Sequence, residues 1–408
     1  MDLGRSATLV KALGLAGTAL AGALAAPAAL AGAAVSTPAA HSAPASAGTA
    51  NSELGGVSCT SATFCMDVGN LNPSPTATTH PVFGESWNGT SWTLHKMPLP
   101  AGIPFGWLNG VSCTSTTFCV AVGQGIPMSG PAVGLIETWN GTTWAVTTGA
   151  KDVDLYAVSC PTDRFCAATG SIGVFNTNKQ YTYAETFNGS SWRHTTTATP
   201  SGASFPVLQG VSCVSATTCE AVGNYDITGQ AFQSIAAVWN GSTWREQTVS
   251  TLPNAATTSL SSVSCTSADA CTAVGYYSTA SSPLISFAAK LENGSFVAVA
   301  PGQGSGWLGS SIGSISCVTR GCVAAGQYAT PQSSSSPLAY RVAGSTWTKS
   351  YPLVPSGDYA SLWADSCSST TFCVEVGEKW ARTGGNTSPL VEMWNGSAWK
   401  VSPVPFGS

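Results

Sequence analysis

Short apolar runs alternate with stretches rich in Gly, Ser, Thr and Asn along most of the chain. One run ends in Val-Ser-Cys, and the next starts at a second cysteine and reads Cys-Val-Ala-Val-Gly in its clearest copy, Cys119 to Gly123. Runs this short, bounded by turn residues, predict strands rather than helices. A later phrase, Trp-Asn-Gly-x-x-Trp, sets Asn-Gly between two further runs. Asn-Gly there predicts a tight hairpin in which both turn residues take positive φ. Each unit therefore holds four short strands. Val and Ala at successive positions of the second strand imply burial on both faces, as in stacked sheets.

The unit recurs seven times. Its cysteines pair in sequence as Cys59 with Cys65, Cys113 with Cys119, Cys160 with Cys166, Cys213 with Cys219, Cys265 with Cys271, Cys317 with Cys322 and Cys367 with Cys373. Five residues separate each pair except Cys317 and Cys322, where there are four. A serine precedes every first cysteine, and a glycine stands four residues after every second one. Four strands in about 50 residues, seven times over, predict an all-β, seven-bladed β-propeller of four-stranded antiparallel blades across residues 54–408. Opposed residues in an antiparallel pair lie about 4.5–5.5 Å apart at Cα, within disulfide range. Each pair is thus expected to clamp the first hairpin of its blade. Zinc is the rival reading, but the pairs stand one per blade and the only histidines are His41, His80, His95 and His194.

The tryptophan-flanked turn occurs as "ESWNGTSW" at Glu85, "ETWNGTTW" at Glu137 and "EMWNGSAW" at Glu392. With these repeats, Leu54 to about Val404 resembles the kelch-like and Asp-box-like β-propellers of secreted bacterial repeat proteins. The turn is one residue shorter than an Asp-box turn, and the double glycine of kelch blades is not reproduced seven times. The resemblance therefore implies architecture. Propellers of this kind include glycan binders, glycan-cleaving enzymes and scaffolds.

Composition adds the compartment. Residues 1–31 carry Arg5 and Lys11 and then an uncharged Ala-rich run with small-residue cleavage sites, the form of an export signal. Left uncleaved, the run would act as an anchor; once it is removed, no membrane span is expected. Residues 32–53 read as a disordered Ala/Ser/Pro/Gly linker. Fourteen cysteines suit an oxidising exterior. Only 8% of residues are charged and the net charge is −4, so nothing draws in nucleic acid. A monomer is expected.

Repetition also separates scaffold from chemistry. Glu85, Glu137, Glu185 and Glu392 recur at one position and are expected to build blades, as are the turn tryptophans. Departures are more informative. Two residues after the second cysteine five blades have Ala, whereas blade one has Asp67 and blade seven Glu375. Asp365 is expected directly opposite Glu375, and ring closure would bring Asp67 near them. Such carboxylates could share a proton, pair with a base, or hold Ca2+ at the closing seam. The bland alternative is a solvated or salt-bridged seam. The connectors carry unmatched aromatics, Trp107, Tyr225, Tyr276, Trp307, Tyr328, Trp363 and Trp380, suited to sugar or protein contact or to capping blade ends.

No residue is nominated as catalytic. Arg164 and Arg320 fall in hairpin turns and Arg193 and Arg245 follow repeat tryptophans, so no arginine cluster is expected. The reading is a secreted, non-enzymatic binding module for carbohydrate or an extracellular protein. The alternatives are a secreted glycoside hydrolase or lyase using Asp365 and Glu375 with Asp67 or Asp358, and a cell-wall scaffold.

Overall fold

The computed structural model describes residues 51–72, 77–173, 179–197, 199–227, 232–280, 284–299, 301–354, 358–383 and 386–405. The expected export signal and all but the last three residues of the expected linker lie outside that set. Strand β1 (Asn51–Ser61) already includes 51–53. It is followed by β2 (Phe64–Asn72), β3 (Val82–Trp87) and β4 (Trp92–Lys96). These pair in chain order as one antiparallel sheet. Six more four-stranded sheets repeat the pattern over 105–151, 153–195, 203–247, 257–299, 309–350 and 358–401. The seven-bladed propeller follows from the repeat as expected.

The first strands of the blades adjoin one another around the axis. The serine before each first cysteine explains how they are joined. Its hydroxyl accepts a hydrogen bond from the backbone N–H of the first cysteine in the next blade. Ser58 takes Cys113 N at 2.9 Å, Ser212 takes Cys265 N at 3.0 Å, and so on around the ring. Ser366 of blade seven takes Cys59 N of blade one at 2.8 Å, so the ring closes with the bond used between all other blades. No strand is shared across the seam, because each sheet is built from consecutive strands.

All seven expected disulfides are present and join the first and second strands of one blade, with Cα–Cα distances of 4.0–4.1 Å. They are scaffold, joining the first hairpin of each blade. Cys166, paired with Cys160, Cys219, paired with Cys213, and Cys271, paired with Cys265, are at most 3% exposed. Cys65, Cys119 and Cys373 are fully buried in the same way. The cause is the second strand, which runs inside its sheet and has neighbouring blades on both faces. Cys166, Cys219 and Cys271 are thus the structural clamps expected, with their sulfurs buried inside the blade interfaces.

The repeated glycine has an equally direct cause. Each first strand bulges just before its Val-Ser-Cys, as between Leu54 and Gly56. The bulge drives a carbonyl against the second strand. A Cβ on Gly123 would sit 1.8 Å from Trp107 O, and one on Gly69 2.1 Å from Glu53 O. Only glycine fits there.

The Asn-Gly turns differ from expectation. In five blades the loop is four residues long and closed by a pair of directly opposed aromatics, such as Trp87 and Trp92, with ring centroids 5.6 Å apart. Gly89 takes φ +97° but Asn88 does not enter the left-handed region. Asn88 Oδ1 instead accepts the N–H groups of Thr90 and Ser91, both at 2.9 Å. The side chain thus replaces a backbone turn bond and frees Asn from the strained φ. Blade five, where Leu291 replaces the first Trp, has the expected two-residue Asn-Gly turn, with Asn293 at φ 51° and Gly294 at φ 76°.

Between blades the core is apolar. Val120, Ala121 and Val122 on the second strand of blade two are all at most 1% exposed, facing alternate neighbours.

Candidate functional site

The departing carboxylates are the first candidates. Asp365 stands directly opposite Glu375, as expected, and Glu392 extends the row on the third strand. All three are buried. The Ser314 hydroxyl of blade six donates to Asp365, so this row faces blade six. Asp67 pairs instead with Glu85. It shares a sheet face with Val57 and Cys65, which pack on Val374 and Val376 of blade seven. Asp67 thus looks into the interface between blades seven and one, while Asp365 and Glu375 look into the one between six and seven. The three do not gather at one seam, because equivalent residues of successive blades point the same way around the ring.

Burial sets their chemistry. It pushes Asp365 up to about 7 and Glu85, Glu137 and Glu392 each to about 8. Glu375 is raised by burial and then by Asp365 and Glu392; Asp67 is raised by burial and by Glu85. Burial thus favours the protonated acid in each of them. Among the described residues no group of three or more His, Cys, Asp or Glu side chains is arranged to hold a metal ion.

The seven connector aromatics are spread over five blades. Among the described residues only Trp307 and Tyr328 of this set are in ring contact with each other, stacked with centroids 4.6 Å apart. Tyr351 adds its edge to Tyr328 and Lys349 Nζ lies 5.1 Å above Trp307. Trp107 meets His80, and Trp380 meets Tyr359. Trp363 sits in the bulge of its first strand, and its buried indole N–H has no partner. Tyr225 and Tyr276 are half-buried against their own sheets.

A different site emerges on the opposite face, where the disulfide hairpins and the Asn-Gly turns meet. In the fourth strands, the residue three after the outer aromatic carries a hydroxyl in blades two, three, six and seven: Thr147, Thr195, Ser350 and Ser402. Three of these accept the indole N–H of the outer Trp in the next blade. Trp244 Nε1 donates to Thr195 at 3.2 Å, Trp399 Nε1 to Ser350 at 2.9 Å and Trp92 Nε1 to Ser402 at 3.2 Å. Blade one has His95 at this position. Its Nε2 is hydrogen-bonded to Ser86 Oγ at 2.7 Å and its ring lies against Trp139, centroids 4.7 Å apart. The indole N–H of Trp144 is consequently buried without a partner. Burial lowers the His95 pKa, which favours the neutral imidazole.

Around His95 opens a groove of about 640 Å³ between blades one and two. Trp87, Trp139 and His95 supply its rings, and Thr63, Thr117 and Thr142 rim it with exposed hydroxyls. Trp87 is fixed by a 3.1 Å hydrogen bond from Nε1 to Ala62 O of the disulfide hairpin. The sequence held a signal for this site in the fourth strands, where His95 departs from the hydroxyl found in blades two, three, six and seven.

No known sequence family matches the chain, and no curated protein matches it. Among solved structures it is similar to the β-propeller domain of the Trilobed protease from Pyrococcus furiosus, at 8% identity and TM-score 0.49 over 86% of this chain and 97% of that one. It is also similar to YCF48 bound to D1 peptide, at 12% identity and TM-score 0.47 over 81% and 91%. A third likeness is to the Aleuria aurantia lectin in complex with alpha-methyl-L-fucoside, at 10% identity and TM-score 0.43 over 88% and 96%. At these identities and scores none of the three bears on what this chain binds.

Proposed function

We propose that this chain is an exported, non-enzymatic carbohydrate-binding module that holds a neutral sugar in the groove between blades one and two. The observation that carries the reading is His95. Its blade lacks the hydroxyl that in blades three, six and seven holds the neighbouring indole, leaving a polar group buried and unpaired, an arrangement that costs about 1–3 kcal/mol. In exchange an oriented imidazole, backed by the buried Trp139, stands beside the part-exposed indole of Trp87 in an open groove. Aromatic faces stack on the C–H faces of sugars, and the imidazole and threonine hydroxyls match sugar hydroxyls. Seven disulfides suit an oxidising exterior, and residues 1–31 would direct export.

The hydrolase alternative has less support. Glycoside hydrolysis needs two carboxyl groups at the scissile bond. Asp67, Asp365 and Glu375 are each at most 7% exposed and lie inside blade interfaces, out of a substrate's reach. Protein docking is favoured by a separate observation, the exposed Leu308 and Tyr351 beside the Trp307–Tyr328 stack.

A glycan array probed with the full chain tests the reading, alongside the H95T and W87A variants. Binding to a neutral glycan that both variants lose supports it. Binding that both keep, or no binding on any neutral glycan, overturns it. Retention by H95T combined with loss in Y328A would move the contact to blade six.

A further inference from the structure

Blade six departs from the repeat at its first hairpin. Its disulfide hairpin is one residue shorter, closing as Cys317 to Cys322. Four blades start the second strand with phenylalanine, Phe64, Phe118, Phe165 and Phe372; blades four and five have Thr218 and Ala270, and blade six has only Gly321. That ring normally packs into the next blade: Phe64 shares a cluster with Trp139, and Phe118 stacks on Phe187 with centroids 6.5 Å apart. With no side chain there and a shorter turn, a pocket of about 180 Å³ lies between blades six and seven on the hairpin face, lined by Gly321.

Two arginines line this pocket, Arg320 from the shortened turn and Arg341 from the third strand. The sequence pattern gives Arg320 no partner; the fold brings it to Arg341. The chain has only 15 Lys and Arg in 408 residues, so two at one small pocket concentrate its scarce positive charge. The lining contains no Asp or Glu to neutralise them. Arg341 is already positioned, its guanidinium carbon 4.9 Å from the centroid of Trp394. A cation held over an indole loses less freedom when it binds an anion. The remaining lining is mixed. Thr348, Ser369 and Thr370 offer hydroxyls, and Val318 and Val342 offer apolar surface.

We propose that this pocket is a second saccharide subsite, which takes the carboxylate of an acidic sugar between Arg320 and Arg341. Planar guanidinium groups match a carboxylate in bidentate fashion. The hydroxyls and valines then meet the sugar ring, a use for apolar surface that a bare inorganic anion would not have. The volume is below that of pockets for drug-sized ligands, which run about 300–1,000 Å³, and suits one ring. The subsite is independent of the groove between blades one and two.

Calorimetric titration of the full chain with sodium galacturonate, galactose and sodium sulfate tests this. The expected result is that galacturonate binds most tightly, weakens with added NaCl, and loses at least tenfold affinity in both R320Q and R341Q. Both side chains are exposed, so neither variant should disturb folding, which the thermal melt verifies. H95T should bind galacturonate as the wild type does, which separates this site from the one under Proposed function. Equal or tighter binding of sulfate would overturn the sugar assignment. Unchanged affinity in both glutamine variants, or no galacturonate binding, would overturn the site.

Discussion

Glu137 offers a clean test of the buried carboxyl groups. It is 0% exposed, sits opposite Ala121 and Val146, and owes its raised pKa, about 8 against an ordinary 4.5, to burial alone. The sign follows from proton linkage. Below pH 4.5 the group is protonated in folded and unfolded chains alike, and its contribution is fully present. As pH rises, the unfolded chain releases the proton while the folded chain keeps it until about pH 8, so stability falls through that window. At 1.36 kcal/mol per unit, this one group removes about 3 kcal/mol between pH 4.5 and 7. In a domain of this size that corresponds to roughly 1–2 °C per kcal/mol in melting temperature. Gln is an uncharged near-isostere. Urea or thermal unfolding of the wild type and E137Q from pH 4.5 to 9 should show similar stability at the acid end and a variant more stable by a few kcal/mol at the alkaline end. Glu85, Glu220 and Glu392 are raised to a similar value, so the wild-type curve should fall steadily over the same range. Parallel curves for the two proteins, or a wild type more stable at pH 8 than at pH 5, would refute the reasoning.

Other consequences are equally direct. Ser366→Ala and Ser212→Ala should each cost about 1–2 kcal/mol in urea unfolding, because seam and interior use the same bond; a costless S366A would mean that the ring is closed by something else. Gly123→Ala should prevent recovery of folded protein, since its Cβ would meet Trp107 O at 1.8 Å, whereas Gly102→Ala, with φ +82° and open space around it, should cost about 1 kcal/mol in the same assay. H95T should raise stability by about 1 kcal/mol as Trp144 Nε1 gains a hydroxyl partner, while abolishing glycan binding; a destabilised H95T would contradict the view that blade one gives up stability for function.

The propeller was legible in the sequence because repetition gives each position seven readings. Val-Ser-Cys, the distal glycine and the Asn-Gly turn each occupy one place in every sheet or nearly so, and strand periodicity assigns them. The disulfides were legible too, but the burial of Cys166, Cys219 and Cys271 was not, since it comes from the blades packed on either side. The function of the serine was hidden for the same reason: its partner lies in the next blade, about 50 residues on. Asp365 and Glu375 could be paired by counting along a hairpin. Their separation from Asp67 could not be found that way, because it depends on which neighbour each sheet face meets. The conformation of Asn88 differs from expectation for a local reason: the closing Trp87–Trp92 pair lengthens the loop, and a side-chain bond then takes the place of positive φ. Both grooves lie at departures from the repeat, His95 in one and the shortened turn with Gly321 in the other.

The histidines provide the most direct test of the central claim. Three lie among the described residues, each in a different setting: His80 beside Phe105 and Trp107, His95 in the groove, and His194 stacked on Tyr183. Their imidazole resonances, followed by NMR while the full chain is titrated with the tightest-binding neutral saccharide from the array, report which site fills. The account predicts that the His95 signals shift with saturation while those of His80 and His194 stay in place. Saturable binding that leaves His95 unmoved and shifts His80 would contradict it and place the ligand on the connector face.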